Sequence, residues 1–170
     1  MWLAVGILGL LLLLNAVLAS AELAMMTSRA GRLQQAASRG SAGARRALVL
    51  AREPTRFLST VQVGITLIGI FAGALGERRL SAPIADGLKR LGVGASSDEI
   101  ALVIVVLVIT YFSLVIGELV PKKIALAYPE WVASTIASPI SVLSVITAWP
   151  VKVLSVSTDV ILKVLRISPK

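Results

Sequence analysis

The stretch IALVIVVLVITYFSLVIGELVPKK, Ile100–Lys123, decides what fold this chain can adopt. From Ile100 to Ile116 it carries no charge, close to the roughly 20 apolar residues that cross a bilayer as a helix. Glu118 ends that run. A carboxylate there costs about 2.5–3.5 kcal/mol to place in lipid, so it needs a partner. Pro121 follows within one turn; it has no amide proton, and its ring clashes with the carbonyl of Gly117 four residues back. An acid beside a backbone carbonyl freed from its helix is how membrane proteins build cation sites. Pro121 is therefore expected to break the helix and act as its flexing point.

Outward from this stretch, the other apolar runs set the architecture. Trp2–Met26 is interrupted only by Asn15, Ser20 and Glu22, and Phe57–Gly76 carries Ser59, Thr60, Gln62 and Thr66 but no charge. The expected spans are residues 2–26, 57–76 and 100–118, the third opened by Ser96-Ser97-Asp98-Glu99 as N-cap and acidic first turn. Trp131–Trp149 is different, with several Ser and Thr residues and with Pro139 near its middle. A single span is one reading; a broken, partly inserted helix pair is the preferred one. Val151–Ile167 reads as an amphipathic interfacial helix carrying Lys152, Asp159, Lys163 and Arg166. The expectation is an all-α membrane protein: three transmembrane helices plus a broken juxtamembrane or re-entrant helical belt over about 121–167.

Composition agrees with a membrane domain. Of 170 residues, 56% are hydrophobic and 15% charged, with a mean hydropathy of +0.89. There is no Cys and no His, so thiolate and imidazole metal sites are excluded, and any bound metal must take oxygen ligands, which favours hard cations. The net charge of +8 is concentrated: seven Arg fall between Arg29 and Arg56, against one acid, Glu53. That pattern suits a cytoplasmic loop (27–56) beside anionic headgroups, and nucleic acid is not expected as a partner. The 77–99 loop balances Arg78, Arg79, Lys89 and Arg90 against Glu77, Asp86, Asp98 and Glu99 and is expected outside. This places the chain in a cell (inner or plasma) membrane as a multi-pass protein, N-terminus outside and C-terminus cytoplasmic. A cleaved signal peptide is the competing view of residues 1–26, disfavoured by Glu22 and the missing basic start. The Ala/Gly/Ser/Arg stretch 36–46 reads as a helical or mobile loop.

With this topology the intramembrane polar groups fall at one depth. Glu22 lies about 10 Å from the cytoplasmic end of the first helix, with Ser20 half a turn deeper. Ser59, Gln62 and Thr66 share one face of the second helix, and Ser113 and Gly117 one face of the third, with Glu118 beside them. The candidate metal ligands are thus Glu118, the Gly117 carbonyl, Glu22, Ser20, Ser59, Gln62, Thr66 and Ser113. Such oxygens could replace much of the hydration shell of Mg²⁺, or hold Na⁺ with less negative charge. Plainer roles stand beside these. Each hydroxyl could bond its own helix, Glu22 could cap or pair with Arg29 or Arg32, and Glu118 could pair with Lys122 or Lys123. Asn15 reads as a helix–helix hydrogen bond, and Gly69-x-x-x-Gly73 as a close-packing face suited to dimerisation.

Four segments carry a family resemblance: ASAELA (19–24), FLSTVQVGITLIG (57–69), IGELVPKKIAL (116–126) and Tyr128-Pro129-Glu130. Together they resemble the transmembrane domain of the CorC/CNNM magnesium transport family, whose signature is Gly-Glu-x-x-Pro-Lys. The resemblance implies a homodimer that exports Mg²⁺ in exchange for Na⁺. Its site would be lined by Glu118, the Gly117 carbonyl, a helix-1 Ser and polar groups of helix 2. Two features depart from the family pattern: Ala19 stands where a Ser is common, and Ile65 and Gly69 stand in helix 2 where Asn occurs. The resemblance covers the membrane domain and not the family's C-terminal cytoplasmic CBS domains, so no ATP binding is expected of these 170 residues. The alternative function is a non-transporting Mg²⁺ sensor or regulator. An enzyme is not expected, since no nucleophile–base pair or zinc motif is present.

Overall fold

The computed structural model describes residues 2–165 and, within them, is a helical bundle with no strand. Arg166, Ile167 and Lys170, the last positions of the expected belt and basic tail, lie outside the described residues. The elements are α1 (Trp2–Thr27), α2 (Ala30–Ser38), α3 (Ala42–Ala51), α4 (Pro54–Arg90), α5 (Ser97–Leu114), α6 (Val120–Ala127), α7 (Pro129–Ile146) and α8 (Ala148–Val164). A single π turn, Val115–Leu119, joins α5 to α6, so these form one continuous rod.

Four helical segments are long and apolar enough to cross a membrane: α1, α4, the α5–α6 rod and α7. Their directions follow from paired contacts. Asn15 meets Gly117 and Glu22 meets Lys122, so α1 and the rod run parallel. Leu18 lies against Gly64, while Val5, Gly9 and Leu12 line one apolar crevice with Ala72 and Leu80, so α4 runs antiparallel to α1. The chain is an all-α, multi-pass membrane domain. Many large apolar side chains that a water-soluble core would bury, such as Leu13, Phe71, Val103 and Leu107, are exposed on the spans.

Several boundaries differ from the sequence expectation, each for a local reason. The second span does not stop at Gly76: α4 continues to Arg90, because Glu77–Arg90 contains good helix formers and the proline within it, Pro83, leaves the helix unbroken. Most of the expected 77–99 loop is therefore helix. The turn to α5 is short and uses Gly92 (φ 85°) and Gly94 (φ 71°), left-handed conformations that a Cβ would strain. Ser96 makes no side-chain cap; Ser97 Oγ donates to the Gly94 carbonyl instead, and Asp98 pairs with Lys89 across the turn.

The expected Arg-rich loop is also folded. It holds α2 and α3, joined through Gly40 (φ 96°), with Ser41 Oγ accepting the Ala44 amide as the α3 cap. Leu33, Ala44 and Ala47 are buried in one cluster with Ala24, Ala125, Val132, Ala133 and Ala137. Small residues let the backbones close up here. A Cβ on Gly43 would lie 2.1 Å from the Ser134 carbonyl oxygen. The broken helix pair expected over 131–149 is not what forms. Instead α7 runs unbroken through Pro139 to Ile146 and is itself long and apolar enough to span, the other reading of this stretch. Its packed face, Val132, Ala133, Ala137 and Ile140, holds it to the core, and the chain turns only at Thr147. Ile140 clusters with Leu18, Ala21, Phe57 and Val61, and Leu143 lies near Gly64, so α7 rests on the last third of α1 and the first third of α4.

Candidate functional site

The seam between α1 and the rod is where polar chemistry gathers. Pro121 does not break the helix. Its ring is accommodated by widening the turn before it into the π turn Val115–Leu119, which carries Gly117 and Glu118. Gly117 is buried because α1 crosses it closely; a Cβ there would lie 2.9 Å from Asn15 Nδ2. Asn15 Nδ2–H donates to the Gly117 carbonyl at 3.1 Å. The carbonyl that the sequence marks as freed is thus engaged across the seam by Asn15, which acts as the helix–helix hydrogen bond expected of it. Asn15 Oδ1 is buried without a partner.

One and a half turns along, three charged side chains meet. Lys122 Nζ lies 2.7 Å from Glu118 Oε1, four residues back on the same rod, and 3.7 Å from Glu22 Oε2 on α1. The side chains are partly exposed, 37% for Glu118, 31% for Lys122 and 25% for Glu22, so the cluster is reachable from the medium around the bundle. It carries one net negative charge when all three groups are ionised. Two carboxylates from different helices sharing one cation are what a small cation would need, and the ammonium holds that place here.

The other expected ligands are distributed as follows. Ser20 is buried on α1, and its hydroxyl donates to the Val17 carbonyl at 2.9 Å, satisfying its own helix. Ser113 is half-buried on the rod, one turn before Gly117. The helix-2 face is not brought to this seam: the buried positions of α4 include Phe57, Thr60, Val61, Gly64 and Ala72, and the Ser59–Gln62–Thr66 face lies about half a turn away. Gln62 and Thr66 are exposed and Ser59 is half-buried. The packed face carries one polar residue that the three–four spacing passes over: Thr60 is fully buried and its hydroxyl has no partner. Its position three residues after Phe57 and four before Gly64 was the signal available. Glu22 pairs with Lys122 rather than Arg29 or Arg32; the Arg32 guanidinium lies 3.8 Å from Glu130 Oε2, and Glu130 Oε1 accepts the Arg29 backbone amide at 3.4 Å. Among the described residues, no three acidic side chains gather into a ready metal cluster.

Comparison with known proteins adds family membership to this geometry. Residues 6–170 match the family described as the Cyclin M (CNNM) transmembrane N-terminal domain. The chain is 42% identical to UPF0053 protein sll0260 of Synechocystis, over 81% of this chain and 31% of that protein. It is 35% identical to the polyamine export protein of Haemophilus influenzae, over 74% of this chain and 29% of the relative. The UPF0053 inner membrane protein YfjD of Escherichia coli is 32% identical over 80% of this chain and 29% of its own length. The chain therefore spans about three-tenths of the length of these relatives. A match that runs from residue 6 to residue 170, and so takes in every element of the bundle, places the chain in the CNNM transmembrane-domain family.

Proposed function

We propose that the chain is the membrane part of a small-cation exporter, with Mg²⁺ as cargo and Na⁺ entry as the driving reaction. The observation that carries this reading is the convergence of Glu118 and Glu22 on a single ammonium beside a π turn. Without cargo, Lys122 neutralises the acids. Cargo enters as Lys122 swings out and Asn15 releases the Gly117 carbonyl. Two carboxylates and that carbonyl then supply part of the roughly six oxygens that Mg²⁺ takes, and retained water supplies the rest. Ser20 joins them by turning from the Val17 carbonyl, and Ser113 lies one turn along on the same face.

The N-terminus is assigned to the outside, and the Arg-rich helices with Lys122 and Lys123 to the cytoplasmic side. A homodimer forms along the exposed α4 face that carries Gln62, Thr66, Gly69 and Gly73. Uncharged polar side chains and bare glycines on a lipid-facing surface favour a second copy there.

Lys122 itself favours a second reading, an organic polyammonium cargo. A primary ammonium already sits between the two acids, and one relative is named a polyamine export protein. Flux in liposomes separates the readings. Protein reconstituted with an opposing Na⁺ gradient is expected to move Mg²⁺, and Glu118→Gln and Glu118→Ala to abolish that movement. Flux unchanged in both variants would falsify the role of Glu118. Spermidine flux without Mg²⁺ flux selects the second reading, and Mg²⁺ binding without flux selects a sensor.

A further inference from the structure

We infer that the groove between the start of α4 and the α7–α8 turn is a binding site for the headgroup of an anionic membrane phospholipid. Two adjoining clefts form it. One is lined by Val49, Leu50, Phe57 and Val145 together with Arg56 and its ion-pair partner Glu53; the other runs on from Arg56 to Val151 and Lys152. A third hollow beside them adds Arg46. The groove therefore combines apolar side chains with an excess of cations, Arg46, Arg56 and Lys152 from α3, α4 and α8 against the single acid Glu53, as an anionic amphiphile requires.

Its position fits a lipid better than a soluble ligand. Arg56 stands just before the uncharged run that begins at Phe57, where a spanning helix leaves the headgroup layer. Trp131 in the first turn of α7 and Trp149 just beyond its last are exposed, as are Val142, Val145 and Ile146. Exposed Trp at both ends of an apolar surface marks the membrane–water boundary. Acyl chains would lie along that surface while the phosphate meets the cations.

The hydroxyls are not the recognition elements. Ser141 and Ser144 already donate to carbonyls within α7, at 2.7 and 3.2 Å, and the Ser138 hydroxyl accepts from Arg46. A phosphate must therefore be held by the cations. Lys152 is exposed, and Arg56 makes only an exposed pair with Glu53 at 3.3 Å. Exposed pairs of this kind are weak enough to exchange for a phosphate.

The test uses the full chain in nanodiscs containing equal phosphatidylglycerol and phosphatidylcholine, each in turn carrying a photoactivatable acyl chain, with adducts mapped by mass spectrometry. Phosphatidylglycerol adducts are expected at Phe57 and Val142–Ile146, in excess over phosphatidylcholine by on the order of tenfold. Arg56→Gln combined with Lys152→Gln is expected to bring labelling there down to the phosphatidylcholine level, while Arg78→Gln with Arg79→Gln leaves it unchanged. Equal labelling by the two lipids in the unmodified protein overturns the site without recourse to any variant. So does full protection by millimolar glycerol 3-phosphate, which would identify a soluble phosphate ligand instead. Labelling does not depend on ion flux, so this result stands or falls apart from the transport reading.

Discussion

The α3–α7 seam and the seam between α1 and the rod are built in opposite ways. The first is closed by small residues, with Gly43 against the Ser134 backbone and Ala44, Ala47, Ala133 and Ala137 fully packed. The second is held by long polar side chains, Asn15 to Gly117 and Lys122 to both Glu118 and Glu22. Backbone-to-backbone packing admits one arrangement. Polar bridges can be exchanged for a cation or water and remade, so the α1–rod seam is where the domain can change state and the belt is where it cannot.

The difference predicts the largest effect at the belt. In Gly43→Ala the new methyl meets a backbone oxygen that no rotamer change can clear, and overpacking of this kind costs about 1–3 kcal/mol. The thermal midpoint in detergent, followed by circular dichroism, should fall well below that of Gly31→Ala, where a Cβ meets nothing. An equal midpoint for the two would show that the belt seam is loose. Next comes Asn15→Ala, which strands the Gly117 carbonyl. Interhelical hydrogen bonds in membranes average about 0.6 kcal/mol and reach about 1.7, so a smaller drop in midpoint is expected, partly recovered by Asn15→Asp or Asn15→Gln only if a donor is restored. Recovery with Gln and not Asp would locate the effect in the amide N–H.

Smaller still is the expected effect of Lys122→Met on folding. The three side chains are a quarter or more exposed, so losing the ammonium should cost on the order of 1 kcal/mol or less. The informative readout is the cation response. With two acids left uncompensated, added Mg²⁺ should raise the midpoint of Lys122→Met more than that of the unmodified chain; an identical response would remove Lys122 as the stand-in cation. The smallest change in stability belongs to Gly69→Leu, since nothing lies within 4 Å of its Cβ position. That variant should unfold like the parent while losing dimer in sedimentation measurements, and a dimer left intact would move the interface off α4.

Hydrophobic run length made three of the four candidate spans legible, though not the full length of α4 or the continuity of α7, and charge placement together with Pro121 marked the segment that builds the seam. The sequence was less informative where tertiary packing decides. Pro139 looks like a break, yet α7 is held straight by its buried face, and the helix ends at Thr147. Pro121 looks like a kink, yet a π turn absorbs it, and Asn15 from another helix takes up the Gly117 carbonyl within that turn. The spacing of Ser59, Gln62 and Thr66 correctly put them on one face, but spacing does not say which face packs. That was set by Phe57, Val61 and Gly64, and it left Thr60 rather than the others inside.

The length of α4 has a mechanical meaning. Its 37 residues make a rod of about 55 Å, against a hydrocarbon layer of roughly 30 Å. Everything from Glu77 to Arg90 therefore stands proud of the membrane as a stiff arm about 20 Å long. Because the same rod is seated on Leu18 at Gly64, a tilt of about 10° there would swing Arg90 through about 7 Å. The turn through Gly92 and Gly94 that joins α4 to α5 is short, so the swing is delivered to the start of α5 as well. Anything that takes hold of this arm gains leverage on the helix that carries Gly117 and Glu118.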